Sequence, residues 1–300
     1  MSRTDADAPY AIALHGGAGV QPGRDYSRAE AHLLDLSRGI AAALSAGLTA
    51  LDAVERAVMA MEASGLYVAG RGSAPNTSGY VELDASIMDG ARHRAGAVCA
   101  VRDVVHPVAA ARRVMDATGH VMLAGRGAMA FIAEQGLAVV EDPAAYYVMP
   151  DGVEAADIAA ASEGRAAHGT VGAVALDRAG RLASATSTGG TFGKRPGRVG
   201  DTPLIGPGSW ADGEAALSCT GVGEAFILSG GAGDAAARMR YGGDDMETAC
   251  EAMLDAVARH GGDGGVIGLD RTGRLVLRWN SPGMKRAAAG SAIEAFSASR

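Results

Sequence analysis

Three hundred residues with 48% apolar and 20% charged side chains make an ordinary folded globule, which excludes wholesale disorder. The net charge of −7 comes with no basic tract, so nucleic acid and anionic membrane surfaces are poor partners. No run of roughly 18 apolar residues occurs, so no membrane-spanning helix is expected.

The N-terminal stretch MSRTDADAPYAIALHGG has no long apolar segment of a secretory signal, and a cytoplasmic protein is expected. Ala11–Leu14 is a short apolar run entering His15-Gly-Gly-Ala-Gly19, a buried strand meeting a glycine turn. Helices are predicted over Ser27–Ala46 and Thr49–Ala63. The second starts with Thr49 as N-cap and Asp52 at the capping-box position. Val81–Met88 alternates apolar and polar residues as a strand does, and Ala95–Val101 is its partner across the Asp89-Gly90 turn. Helices follow over His106–Met115 and Gly127–Gln135. Glu141–Gly169 then loses periodicity and reads as a mobile connector, long enough to be functional or processed.

Order resumes at Thr170 with a hairpin of Val171–Leu176 and Leu182–Thr188. LDRAGRL at 176–182 is echoed by LDRTGRL at 269–275, which suggests two packed antiparallel sheets with related edges. Helices are predicted at Glu224–Arg240 and Met246–His260. Strands and helices come in blocks, which favours layered α+β packing over a doubly wound parallel sheet. Glycine is the compositional outlier at 44 residues, pointing to tight turns and close backbone approach. Of the 27 basic residues only Lys194 and Lys285 are lysines, which reads as genomic bias. Cys99, Cys219 and Cys250 are too few and too scattered for a disulfide framework or a zinc knuckle.

Common chemical motifs are absent. There is no Gly-x-Ser-x-Gly elbow. The phosphate-loop pattern fails at Thr188 and Arg195, and Gly231-Ala-Gly233 follows a helix instead of a strand. No histidine pair has metal-binding spacing. What remains is His168–Asp201, where the connector ends at Gly169 and a strand starts at Thr170. Alone, Thr170 is an ordinary β-branched strand starter. The sharper reading is an N-terminal nucleophile exposed by cutting the Gly169–Thr170 bond, with glycine offering little steric barrier to attack.

Several long motifs decide between these: HGGAG at 15–19, LDASIMDG at 83–90, GTVGAVALD at 169–177, ATSTGG at 185–190, PGRVGD at 196–201 and SCTGVGE at 218–224. With them the chain resembles the plant-type asparaginase / isoaspartyl aminopeptidase family of N-terminal nucleophile hydrolases over nearly its whole length. The resemblance implies an α+β fold, a four-layer αββα sandwich with two antiparallel sheets between helical layers. It implies one domain, residues 1–300, self-cleaved into 1–169 and 170–300.

It further implies that Thr170 attacks, with its freed α-amine as base. Thr188 would hydrogen-bond the nucleophile, and Thr220 and Gly221 would form the oxyanion hole. Arg198 and Asp201 would hold the substrate α-carboxylate and α-ammonium, with Gly223 beside the amine. The substrate would be asparagine or a β-aspartyl dipeptide. Without the family, Thr220-Gly221 reads as a strand-ending turn, and Arg198 with Asp201 as a surface ion pair. No catalytic cofactor is implied. A structural sodium ion is, on backbone carbonyls within 61–71: Met61, Glu62, Ser64, Tyr67, Ala69 and Arg71. A homodimer of αβ units is also implied.

The chain departs from the family where many relatives carry Asn-Ala-Gly and this sequence has Val68-Ala69-Gly70. Valine cannot hydrogen-bond, so Ser73 or Asn76 is a candidate substitute. The changed loop suggests tuning towards particular isoaspartyl dipeptides, β-aspartyl-arginine among them. Glycosylasparaginase-type activity and a non-catalytic binding protein on the same fold are the alternatives.

Overall fold

The computed structural model describes residues 8–154, 156–157 and 169–300. The first apolar run forms β1 (Ala11–Ala18), buried along its whole length because it lies inside a sheet. On one side it pairs with β5 (Val171–Leu176), which turns tightly into β6 (Leu182–Thr188). On the other side lie β11 (Met284–Gly290) and β12 (Ile293–Ala298). Beyond β6 come β2 (Leu83–Asp89), β3 (Arg94–Val101) and the short β4 (Met122–Ala124). The eight strands run in the order β12-β11-β1-β5-β6-β2-β3-β4. All neighbours are antiparallel except β3 and β4. The expectation of two antiparallel sheets therefore fails at one edge, where a helical crossover returns the chain in the direction it came from.

The second sheet has four strands, β7 (Ser209–Ala211), β8 (Ala215–Gly221), β9 (Gly264–Asp270) and β10 (Leu275–Trp279), ordered β10-β9-β8-β7. Both echoed segments make hairpins, β5–β6 and β9–β10. Only β10 is an edge strand, however; β5–β6 sits at the centre of the large sheet, which corrects the expectation of related edges.

Helices α1 (Ser27–Ser45), α2 (Ala50–Ser64), α3 (Pro107–Ala117) and α4 (Gly125–Glu134) pack on the large sheet. The α2 cap forms as its sequence predicts: the Asp52 N–H donates to Thr49 Oγ1 at 3.1 Å, and that hydroxyl donates to the Asp52 carboxylate at 2.7 Å. Helices α5 (Gly223–Ser229), α6 (Gly231–Ala237) and α7 (Met246–Arg259) back the small sheet. The single helix expected over 224–240 is broken. Gly230 (φ +81°) and Gly231 (φ +49°) are left-handed, a conformation that ends a helix and that glycine adopts without steric cost.

Three large apolar cores result among the described residues, beside a small cluster around Val68. Leu33, Val54, Met61, Ile87 and Val114 fill the space between α1–α4 and the large sheet. Val174, Leu176, Ile267 and Leu269 lie between the two sheets. Phe226, Met253 and Val257 lie behind the small one. Within the expected connector 141–169, Pro143–Tyr146 forms a helical turn capped by Asp142. Residues 155 and 158–168 lie outside the described residues, and with them much of the segment expected to be mobile. The three cysteines are free and buried. Among the described residues no helix is long and apolar enough to cross a membrane.

Candidate active site

The β5–β6 register pairs Val171 with Ser187, which sets Thr170, just ahead of β5, opposite Thr188 at the end of β6. Both threonines are buried, at 6% and 3% exposure. The Thr170 hydroxyl donates to Thr188 Oγ1 at 3.3 Å, a long contact for two hydroxyls. The Thr188 hydroxyl in turn donates to the Gly169 carbonyl at 2.7 Å, and the Gly190 N–H donates to Thr188 Oγ1 at 2.9 Å. Thr188 thus touches both the hydroxyl and the carbonyl that would react. Gly17 lies against the same peptide: a Cβ there would stand 3.2 Å from both the N and O of Thr170.

Thr220 and Gly221 end β8. Thr220 Oγ1 accepts the Ala18 N–H at 3.1 Å, which leaves its own O–H to donate elsewhere. Gly221 has φ +150° and presses on the Asp263 carbonyl, so no side chain fits there. Arg198, Asp201 and Gly223 lie together. A Cβ on Gly223 would lie 2.9 Å from Asp201 Oδ1 and 3.0 Å from Arg198 Nη2. Arg198 is not an open fork, however. Its Nε and Nη2 donate to the two carboxylate oxygens of Glu224 at 2.9 and 2.7 Å. Glu224 stands inside the SCTGVGE motif but carried no role in the sequence reading. Its side chain is 59% exposed, which leaves the ion pair open to competition from solvent or another carboxylate.

Two buried polar groups pack beside this site, and neither side chain had a role in the sequence reading. His15 Nε2 and Thr186 Oγ1 both hydrogen-bond Ser218 Oγ, at 2.9 and 2.8 Å. Burial pushes the His15 pKa down to about 3, against an opposing pull from the Thr170 backbone, so the ring is neutral. Glu62, fully buried on α2, accepts the Ser187 hydroxyl at 2.7 Å and the Val108 N–H at 3.0 Å. Burial pushes its carboxyl up, while hydrogen bonds from His106 and Ser187 favour its charge. It ties the residue beside Thr188 to the start of α3.

Val68 packs against Gly169, with Ala74, Phe192 and Val153 around it. Of the two candidate substitutes, Asn76 is committed elsewhere: it donates to Glu82 at 2.9 Å and accepts the Ser78 N–H at 2.9 Å. Ser73 does reach the site. Its buried hydroxyl touches the position a Gly189 Cβ would fill and, among the described residues, makes no hydrogen bond. The 61–71 loop turns back sharply after α2, and the Tyr67 carbonyl, with that of Gly65 at 3.1 Å, closes on the space where Gly72 lacks a Cβ. Among the described residues the carbonyls of Met61, Tyr67, Ala69 and Arg71 each accept a hydrogen bond from the protein. Carbonyl oxygens are the type of donor that a hard cation takes.

A family model described as Asparaginase matches residues 8–296. The isoaspartyl peptidase of Salmonella typhimurium is 43% identical, covering 92% of this chain and 94% of that protein. The plant-type L-asparaginase of Pyrobaculum calidifontis is 42% identical over 92% of this chain and 95% of its own. The isoaspartyl peptidase/L-asparaginase of Rattus norvegicus is 39% identical over 95% and 88%.

Proposed function

This chain belongs to the asparaginase family, and we propose that within it the protein is a self-processing N-terminal threonine amidohydrolase, releasing L-aspartate from L-asparagine or β-aspartyl dipeptides. The observation that carries this is the chain of hydroxyls from Thr170 through Thr188 to the Gly169 carbonyl. When Thr170 Oγ attacks that carbonyl, negative charge develops on its oxygen. Thr188 donates there, and the proton that Thr170 gives up as it attacks passes to the Thr170 nitrogen as that nitrogen leaves. The Gly169–Thr170 C–N bond breaks, an ester forms on Thr170 Oγ, and water hydrolyses it. The products are a Gly169 carboxylate and a free Thr170 amine.

That amine has a reference pKa near about 8 and serves as the base for the second reaction. It takes the Thr170 hydroxyl proton as Oγ attacks the side-chain amide carbon of the substrate. The proton passes to the departing amine, ammonia or an amino acid, and water releases aspartate from the ester. Thr220, through its uncommitted O–H, and the Gly221 N–H would stabilise the oxyanion. Arg198 and Asp201 would anchor the aspartyl head group beside Gly223, with Glu224 displaced from the guanidinium.

The three large apolar cores support the four-layer αββα sandwich. A sodium ion, held by the carbonyls of Met61, Glu62, Ser64, Tyr67, Ala69 and Arg71, would stiffen the loop under Val68 by charge alone. The enzyme would assemble as a homodimer of αβ units. Processed protein should hydrolyse asparagine or β-aspartyl dipeptides with release of aspartate. Activity confined to N-acetylglucosaminyl-asparagine would mark a glycosylasparaginase instead, and a chain neither cut nor active would mark a binding protein.

A further inference from the structure

A cavity of about 170 Å³ opens on the Gly169 side of Thr170. Tyr26, Val68 and Phe192 give it apolar walls, and Arg24 and Lys285 give it two cations. Gly169 lines it, while Arg198, Asp201 and Gly223 do not, so it lies on another side of the Gly169–Thr170 junction from the head-group anchors. An aspartyl head held at those anchors, with its side-chain carbonyl at Thr170, leaves this side for the departing residue.

Lys285 is 9% exposed and its ammonium sits 5.0 Å from the centre of the Tyr26 ring. Among the described residues it makes no hydrogen bond and no ion pair, an arrangement that costs free energy until an anion arrives. Arg24 grips Asp157 with both terminal nitrogens, Nη2 reaching Oδ1 at 2.9 Å, and its Nη1 also donates to the Gly152 carbonyl. Asp157 belongs to an acidic strap running from Pro150. Asp151 in the strap meets Arg28 at 3.0 Å, and Glu154 meets Arg24 at 3.7 Å. The strap thus lays carboxylates along the cationic wall of the cavity. Cutting after Gly169 would leave it tethered from its upstream end alone.

We propose that this cavity is the leaving-group subsite of the processed enzyme, and that Arg24 and Lys285 select isoaspartyl dipeptides whose leaving residue bears an acidic side chain. This rests on reading Thr170 as the nucleophile. A β-aspartyl-glutamate or β-aspartyl-aspartate leaving residue brings two carboxylates to two cations, as the strap does in the uncut chain. An arginyl leaving residue would bring a like charge to the same wall, so the subsite favours the opposite charge from the β-aspartyl-arginine suggested by the 68–80 loop.

The test is kcat/KM of processed enzyme for β-aspartyl-glutamate, its neutral isostere β-aspartyl-glutamine, and β-aspartyl-arginine, in the wild type, Arg24→Gln and Lys285→Met. The glutamate dipeptide should lead the glutamine one by about tenfold, with the arginine dipeptide last. The glutamate-to-glutamine ratio should fall towards one in the variants. Should the buried Lys285 variant not fold, Arg24→Gln carries the test, since Arg24 is partly exposed. A wild-type ratio of one or less, an arginine preference, or a ratio unchanged in the variants overturns the subsite while leaving the nucleophile reading intact. Processed enzyme that cuts asparagine but no isoaspartyl dipeptide overturns the subsite alone, and one that cuts neither overturns both.

Discussion

Thr188 serves two partners with one hydroxyl, the Thr170 side chain and the carbonyl of the Gly169–Thr170 bond proposed to break. Thr188→Val keeps the shape and removes the hydroxyl. It should slow appearance of the two chains by about 10²–10³-fold, the usual loss for one oxyanion donor, as followed by gel against time; processing at the wild-type rate would remove Thr188 from the chemistry. His15 sets an acid limit. Its folded pKa of about 3 lies below the ordinary histidine value, so between pH 6.5 and 3 the unfolded chain binds a proton that the folded one refuses. Stability is fully present above that window and falls as the pH drops through it, by on the order of a few kcal/mol. His15→Gln should flatten the fall in urea midpoint across this range, whereas parallel curves would show that His15 is not responsible. Thr170, Thr188, Arg198 and Asp201 were legible because they stand in contiguous motifs. The roles of the His15 and Glu62 side chains were not, although His15 stands in the HGGAG motif, because their partners Ser218 and Ser187 lie 203 and 125 residues away and only the finished sheets bring them together.

Helix α2 was legible almost to the residue because Thr49 and Asp52 write its start locally. The α5–α6 break was misread because apolar spacing runs through Gly230-Gly231 while backbone handedness does not. The parallel β3–β4 pair also escaped, since strand direction at an edge depends on where the α3 crossover returns the chain. Close packing of α3 on β3 turns on Gly96, where a Cβ would meet the Ala111 carbonyl and stand 2.7 Å from the Met115 nitrogen. Gly96→Ala should push the helix off the sheet and cost about 1–3 kcal/mol, read as a lower urea midpoint. An unchanged midpoint would mean that α3 shifts freely.

Across the whole molecule, the large sheet interleaves the two sides of the Gly169–Thr170 bond. Strands β5 and β6, from after it, lie between β1 and β2, from before it, while β1 also lies between β5 and β11. The resulting chains should therefore elute together under native conditions and part only in denaturant. Both lysines are buried, Lys194 at 5% and Lys285 at 9% exposure, a placement that composition alone could not reveal. The central claim is that residue 170 becomes a chain terminus and then the nucleophile. Intact-mass measurement under denaturing conditions, on wild type and Thr170→Val incubated alike and assayed in parallel, tests it most directly. Wild type should resolve into 1–169 and 170–300 with hydrolase activity, and Thr170→Val should stay one inactive chain. An uncut wild-type chain that hydrolyses asparagine or isoaspartyl dipeptides, or an active valine variant, would contradict it.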